Sequence, residues 1–304
     1  MYSEYEDFYL HVGWPNEQGR FPIHVVQSPC GETRQPVWQE NKLRLPAYRH
    51  VLDYLEELIA EPEEVELLGK SLHEFLFPTR VDEIFRRCCD DRERGLRIRL
   101  RVDPEELSLL PWEFCFDPRT RQYLALERQT PIVRYIAEGF AAPTTLTMPR
   151  PVKLLVVLAA PKDQPALDME REEAGIRQAL RNVPVDISVL RHATIDKLHD
   201  ALLDFEPHIL HFSGHGVVSG GYGALALETP QSANTAPLTA RQLRSLLNRM
   251  GITLAVLNAC ETARHSTRDA LMGVAQALIR EEIPAVIAMQ FLVSETVALM
   301  FTRR

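Results

Sequence analysis

The sequence predicts an α/β half with a mostly parallel sheet flanked by helices over residues 149–304, preceded by an α+β half over residues 1–148. Three observations predict it. Beyond residue 152, apolar runs of strand length alternate with amphipathic stretches of helix length, the pattern of βαβ units with right-handed crossovers. The first of those runs, Leu154 to Ala160, is seven unbroken apolar residues, as expected of a strand covered on both faces. A chain of 304 residues, at roughly 150 per domain, also makes two domains.

In the first half, Leu67, Leu68, Leu72 and Leu76 recur at helical spacing, and helical periodicity resumes after Pro78 over Val81 to Cys89. Leu96, Ile98, Leu100 and Val102 then alternate with Arg97, Arg99 and Arg101, which predicts a half-buried strand with a basic outer face. Short strands are expected around Trp112 to Phe116, Tyr123 to Leu126 and Ile132 to Ile136. No catalytic motif occurs here, so this half is read as non-catalytic. The boundary is expected at Ala141 to Arg150, where Pro143 and Pro149 break the chain.

In the second half, strands are predicted over Lys153 to Ala159, Val185 to Leu190, Ile209 to Phe212, Leu254 to Leu257 and Ala285 to Met289. Helices fall between them, over Asp168 to Leu180, around Ile195, Leu198, Leu202 and Phe205, and along the face of Leu271, Val274, Ala275, Leu278 and Ile279. Gly220 to Leu227 reads as a glycine-rich hairpin. Thr239 with Gln242 forms a capping box, and Leu238 facing Leu243 a hydrophobic staple, so another helix starts there.

Composition excludes several function classes. Apolar residues make up 45% and charged residues 25%, which is globular rather than disordered. The 34 basic and 42 acidic residues give a formal charge of −8, which weighs against nucleic acid as a direct partner. With 29 Arg and 5 Lys, the basic set is lopsided, which reads as coding bias. No apolar run approaches the ~20 residues of a bilayer span, and the acidic start Met-Tyr-Ser-Glu-Tyr-Glu-Asp is unlike a signal peptide. Cys30, Cys88, Cys89, Cys115 and Cys260 are odd in number, with no CxxC pair, so no disulfide framework is expected. Cytoplasm, with no membrane partner, is the expected location.

In open parallel sheets, sites form at the carboxyl ends of strands. Two such ends carry reactive side chains: His211-Phe-Ser-Gly-His215-Gly216 and Leu257-Asn-Ala-Cys260-Glu-Thr. A cysteine nucleophile needs a base to form thiolate near neutral pH, and a histidine across the crevice can be that base. The flanking glycines are expected to turn the backbone sharply at His215 and to leave the Gly216 amide free. Together with the Cys260 amide, it would receive an oxyanion. The residues alone leave a second reading open, in which Cys260 is a small core hydrophobe and His215 a satisfied polar residue. Gly214 to Gly220 looks superficially like a dinucleotide loop but runs into a hairpin, not a helix. His208, His211 and His215 do not make a metal set, because His208 and His211 point to opposite faces of a strand. His211 is expected as a hydrogen-bonded core histidine, and Tyr222 either gates the cleft or simply packs.

These segments resemble the CHAT family of caspase-like peptidases, in the wider group of caspases and separase. The resemblance rests on Glu66-Leu-Leu-Gly-Lys-Ser-Leu, Leu96-Arg-Ile-Arg-Leu-Arg-Val-Asp-Pro, Leu110-Pro-Trp-Glu-Phe and Leu154 to Pro161. It continues through Leu210-His-Phe-Ser-Gly-His-Gly, Leu257-Asn-Ala-Cys-Glu-Thr-Ala and Pro284-Ala-Val-Ile-Ala-Met-Gln-Phe. It implies a caspase-like sheet behind a pseudo-caspase-like N-terminal domain. It also implies a His215–Cys260 dyad that cleaves protein substrates through a thioester, with no metal and no cofactor. Family members commonly act as regulated effectors in bacterial defence or signalling, so a regulatory protein or sensor module is the expected partner. The alternative is a catalytically silent scaffold that binds a protein. Asn258 stands where caspases carry Gln, so aspartate specificity is not transferred. Asp163, Asp168 and Glu261 are instead expected to favour a basic residue at the cleaved position. Related domains continue with a further strand and helix, so the chain is expected to stop short of its final elements.

Overall fold

The computed structural model describes residues 5–44, 46–57, 59–90, 94–135, 149–247, 250–259, 273–279 and 283–289. The chain divides into two units, residues 1–137 and 138–304, each described by itself. Most of the predicted linker, 141–150, lies outside the described residues.

The first unit begins with three strands that the sequence reading left unassigned: β1 (Tyr5–Val12), β2 (Arg20–Gln27) and β3 (Val37–Glu40). Helices α1 (Pro46–Glu56), α2 (Pro62–Leu76) and α3 (Thr79–Asp90) follow, then β4 (Gly95–Val102) and the short α4 (Glu105–Ser108). A two-stranded ribbon, β5 (Phe116–Asp117) and β6 (Gln122–Tyr123), precedes β7 (Ile132–Arg134). The main sheet has the order β3-β2-β1-β4-β7, with β1 parallel to β4 and antiparallel to β2. Phe8, Leu10 and Val12 of β1, Phe21, Ile23 and Val25 of β2, and Leu96, Ile98 and Leu100 of β4 all face one core. There they meet Leu68, Leu72 and Phe75 of α2 and Val81, Ile84 and Phe85 of α3.

The arginines of β4 do not form a bare basic face. The parallel register sets Arg97 opposite Asp7, Arg99 opposite Tyr9 and Arg101 opposite His11. Arg97 binds Asp7 at 2.6 and 3.0 Å, Arg99 lies over the rings of Tyr9 and Tyr135, and Arg101 reaches Asp103 at 2.7 Å. Two predicted strands are also largely replaced. Trp112 to Phe114 is a 3-10 turn after Pro111, and Leu124 to Leu126 is another. The reason is visible at Trp112, fully buried, whose indole N–H donates to the Leu107 carbonyl at 2.8 Å. An aromatic that must both bury its ring and satisfy a local donor overrides strand propensity.

Asp117 is buried in this unit and paired with Arg86, which forks across both carboxylate oxygens (2.9 Å to Oδ1). Burial alone would raise the pKa of Asp117, but the Arg86 hydrogen bonds hold it below the usual carboxylate range. Arg86→Leu is expected to destabilise the first unit by roughly 3–5 kcal/mol, because it leaves an uncompensated buried charge. Urea titration read by tryptophan fluorescence checks it; an unchanged midpoint contradicts it.

The second unit runs β8 (Val152–Leu158), α5 (Met169–Leu180), β9 (Val185–Leu190), α6 (Ile195–Phe205) and β10 (Ile209–Ser219). It continues with β11 (Tyr222–Glu228), β12 (Thr235–Thr239), α7 (Ala240–Leu247), β13 (Leu254–Ala259), α8 (residues 273–279) and β14 (Ala285–Ala288). Five strands form a parallel sheet in the order β9-β8-β10-β13-β14. Leu154, Val156 and Leu158 pack with Ile176 of α5 on one face. Leu155, Val157, Phe212 and Leu257 pack with Leu198 and Leu202 of α6, Leu243 of α7 and Leu278 of α8 on the other. Burial on both faces is why these strands read as apolar runs.

β10 extends well beyond the predicted Phe212. Its first part pairs with β8 and β13, and its last part, from His215, pairs antiparallel with β11. The expected capping box is present: Thr239 accepts from the Gln242 N–H, and Gln242 accepts from the Thr239 N–H at 3.0 Å. The strand order reverses between β8 and β10, and their carboxyl ends form the switch point where ligands bind in open α/β sheets.

Candidate active site

His215 stands at that switch point. Alternation along β10 puts His211, Ser213 and His215 on the face covered by α5, and Leu210 and Phe212 on the opposite face. The glycines beside His215 do not turn the chain. β10 runs straight through them, with His215 opposite Ala226 and Gly216 opposite Leu225. Gly214 instead gives room: a Cβ there would sit 2.6 Å from Phe212 Cζ and 3.0 Å from the Ala159 carbonyl oxygen.

The Gly216 amide is directed by the hairpin. Gly220 and Gly221, at φ +59° and +82°, form a two-residue turn closed by Ser219 and Tyr222. Hydrogen-bonded and non-bonded pairs then alternate back along the ladder, so His215↔Ala226 is bonded and Gly216↔Leu225 is not. The Gly216 N–H therefore points away from β11, toward the β13 edge of β10. Tyr222 itself is exposed at the hairpin tip.

His215 is buried, with 1% of its surface accessible, and its Nε2 lies 3.0 Å from the Pro165 carbonyl oxygen. A carbonyl only accepts, so Nε2 carries the proton and the neutral ring presents a bare Nδ1. Nδ1 is buried without a hydrogen-bond partner among the described residues. Burial lowers the pKa of His215 below 6.5, against the raising effect of the Pro165 carbonyl, which keeps the ring neutral at pH 7. This is the protonation state of a general base.

Below His215 on the same face lies a polar layer that sequence reasoning missed in part. Ser213 donates to Glu172 Oε2 at 3.0 Å, both residues being buried. The signal was available, because Glu172 is one helical turn from Ile176 and so shares its inward face. Asn258, opposite Ser213 in the β10–β13 register, has a buried Oδ1 with no partner among the described residues. His211 is a core histidine as expected. Its Nε2, however, has no hydrogen-bond partner among the described residues, and burial pushes its pKa down to about 4. His208 is turned elsewhere, its Nδ1 accepting from the Lys153 N–H.

Of the acids expected near the cleft, Asp168 caps α5 by accepting from the Arg171 N–H at 3.0 Å. Asp163 accepts from both the N–H and the hydroxyl of Thr235 at 2.8 Å, and these bonds hold its carboxyl below the usual range. Cys260 and Glu261 lie outside the described residues. The register ends with Gly214 opposite Ala259; in the sequence, His215 and Cys260 are the residues that follow them.

Residues 66–304 match the CHAT domain. The chain belongs to the CHAT family. The match begins inside the first unit, at α2, so the family's extent includes α2, α3 and β4 as well as the parallel sheet. Among solved structures, this CHAT chain is similar to the Drosophila initiator caspase Dronc. The identity is 9% and the TM-score 0.29, over 44% of this chain and 65% of the caspase. The CHAT chain therefore spans about 65% of that protein's length. It matches no curated protein. No helix among the described residues is long and apolar enough to cross a membrane.

Proposed function

We propose that this CHAT chain is a cysteine endopeptidase with Cys260 as nucleophile and His215 as base. The observation that carries the reading is the bare, buried Nδ1 of His215 at the switch point, on the strand whose register ends one residue before Cys260. His215 Nδ1 takes the thiol proton of Cys260, and the sulfur attacks the peptide carbonyl carbon. The oxyanion is received by the N–H groups of Gly216 and Cys260. Collapse breaks the C–N bond, and the imidazolium returns its proton to the leaving amine. The thioester is then opened by water, whose proton His215 accepts, releasing the carboxylic acid and the thiol.

The substrates are one or a few intracellular proteins, and control lies with a partner protein or sensor module of a bacterial signalling or defence assembly. A basic residue before the cut belongs to the same proposal, with Glu261 carrying more of it than Asp163 and Asp168, whose carboxylates are engaged locally. Mass spectrometry of new peptide termini in a lysate, with neighbouring gene products added, tests the whole reading. Discrete new termini are expected with the wild-type chain and none with Cys260→Ala. Termini that persist in Cys260→Ala overturn the nucleophile. If neither chain yields them, the scaffold reading takes over.

A further inference from the structure

The loop that carries Pro165 has few handles of its own. Proline has no N–H, so the segment before it must be placed by its neighbours. Those neighbours converge on one pair of residues, Glu228 and Thr235, which face each other where β11 ends and β12 begins. Glu228 Oε1 accepts from the Ala160 N–H at 3.0 Å, while both of its oxygens lie within 3.2 Å of His192 Nδ1. Thr235 uses its hydroxyl twice, donating to Asp163 Oδ1 at 2.8 Å and accepting from Gln164 Nε2 at 3.1 Å. Its N–H donates to the same Asp163 oxygen, and Lys162 N–H donates to the nearby Ala233 carbonyl at 2.8 Å. The next residue after Gln164 is Pro165, whose carbonyl holds His215.

We propose that Glu228 and Thr235, with Asp163 as the receiving group, form a positioning clamp that fixes the 160–165 loop and thereby the tautomer and orientation of His215. This deepens the peptidase reading and rests on it. The clamp works on the base rather than on the substrate. It acts through the Pro165 carbonyl, the acceptor that selects the Nε2–H form. It also makes the turn between β11 and β12 the place where an activating or inhibiting contact would reach the base, because Ser232 and Asn234 are exposed there on a turn closed by its own hydrogen bonds to Thr229.

Two variants of the full chain test this. Thr235→Val removes the hydroxyl at nearly constant volume and keeps the backbone N–H; Asp163→Ala removes the acceptor from an exposed position, where folding is not at stake. One readout is the 15N spectrum of His215, whose two ring nitrogens differ sharply between tautomers. The other is the rate of iodoacetamide alkylation of Cys260 at pH 7, mapped by mass spectrometry. The wild type is expected to show Nε2–H alone. Both variants are expected to show mixed tautomers and alkylation ~10-fold slower, in line with the cost of small misplacements of a catalytic group. A single unchanged tautomer and unchanged alkylation in both variants, alongside slowed alkylation in His215→Ala, overturn the clamp. Unchanged alkylation in His215→Ala while the variants still lose the tautomer overturns the dyad and leaves the clamp standing.

Discussion

Cys260→Ala, His215→Ala and the double variant are expected to lose nearly the same activity toward a substrate found by terminus mapping. Removing a general base costs roughly a hundred- to ten-thousand-fold. A cysteine without a base retains a few per cent of thiolate near pH 7, so His215→Ala should keep a trace of turnover and Cys260→Ala none by this route. Residues that act as one unit are strongly non-additive, so the double variant should fall no further than Cys260→Ala. Rates that fall multiplicatively would mean that the two residues serve separate steps. The wild-type kcat/KM should also fall toward acid. His215 accepts a proton only when neutral, and burial places its pKa below 6.5. The acid limb therefore lies below that value, and a limb centred above 6.5 contradicts the assignment.

Acid should also unfold the protein through two histidines that take no part in the chemistry. His73, in the first unit, lies 4.0 Å from Asp117, yet burial outweighs that carboxylate and pushes its pKa down to about 4. His211, in the second unit, is pushed to about 4 by burial alone. Between pH 6.5 and 4 each is protonated in the unfolded chain and neutral in the folded one. The unfolded state then binds more protons, and stability falls as pH falls. At 1.36 kcal/mol per unit, each histidine removes about 2 kcal/mol by pH 5 and about 3 kcal/mol by pH 4. The contribution is intact above pH 6.5. His73→Leu and His211→Leu should each flatten the loss in their own unit. Trp14, Trp38 and Trp112 all belong to the first unit, so tryptophan fluorescence follows His73 while far-UV circular dichroism also follows the second unit. Urea midpoints that stay level from pH 7 to pH 4.5 would contradict this.

The parallel sheet was legible because strands such as β8 are buried on both faces and leave an apolar run that only a covered strand can carry. β1 and β2 carry the same period-two alternation as β4, with Phe8, Leu10 and Val12 and then Phe21, Ile23 and Val25 apolar. The strands themselves were therefore legible; the partners of Asp7, Tyr9 and His11 between them were not. Those polar residues make sense only once the register sets Arg97, Arg99 and Arg101 against β1. β10 was cut short at Phe212 for a related reason. Ser-Gly-His-Gly breaks the apolar pattern just where the strand passes from β8 to β11 on the same edge, a change of partner that no local spacing records. Trp112 misled in the opposite direction, since a large aromatic favours a strand until its indole N–H finds a local carbonyl.

The sequence by itself determined the alternation of strands and helices and the family, and it singled out His215 and Cys260 as the reactive pair to look for. Each depends on residue order alone: apolar periodicity, a motif, or the position of a reactive side chain after an apolar run. Only the tertiary structure decided which nitrogen of His215 is bare, because that depends on Pro165, fifty residues away along the chain. Only it directed the Gly216 N–H toward β13, and only it engaged Asp163 and Asp168 in local hydrogen bonds. Protonation and hydrogen bonding are set by what folding brings within about 3 Å, and sequence spacing carries no record of those neighbours.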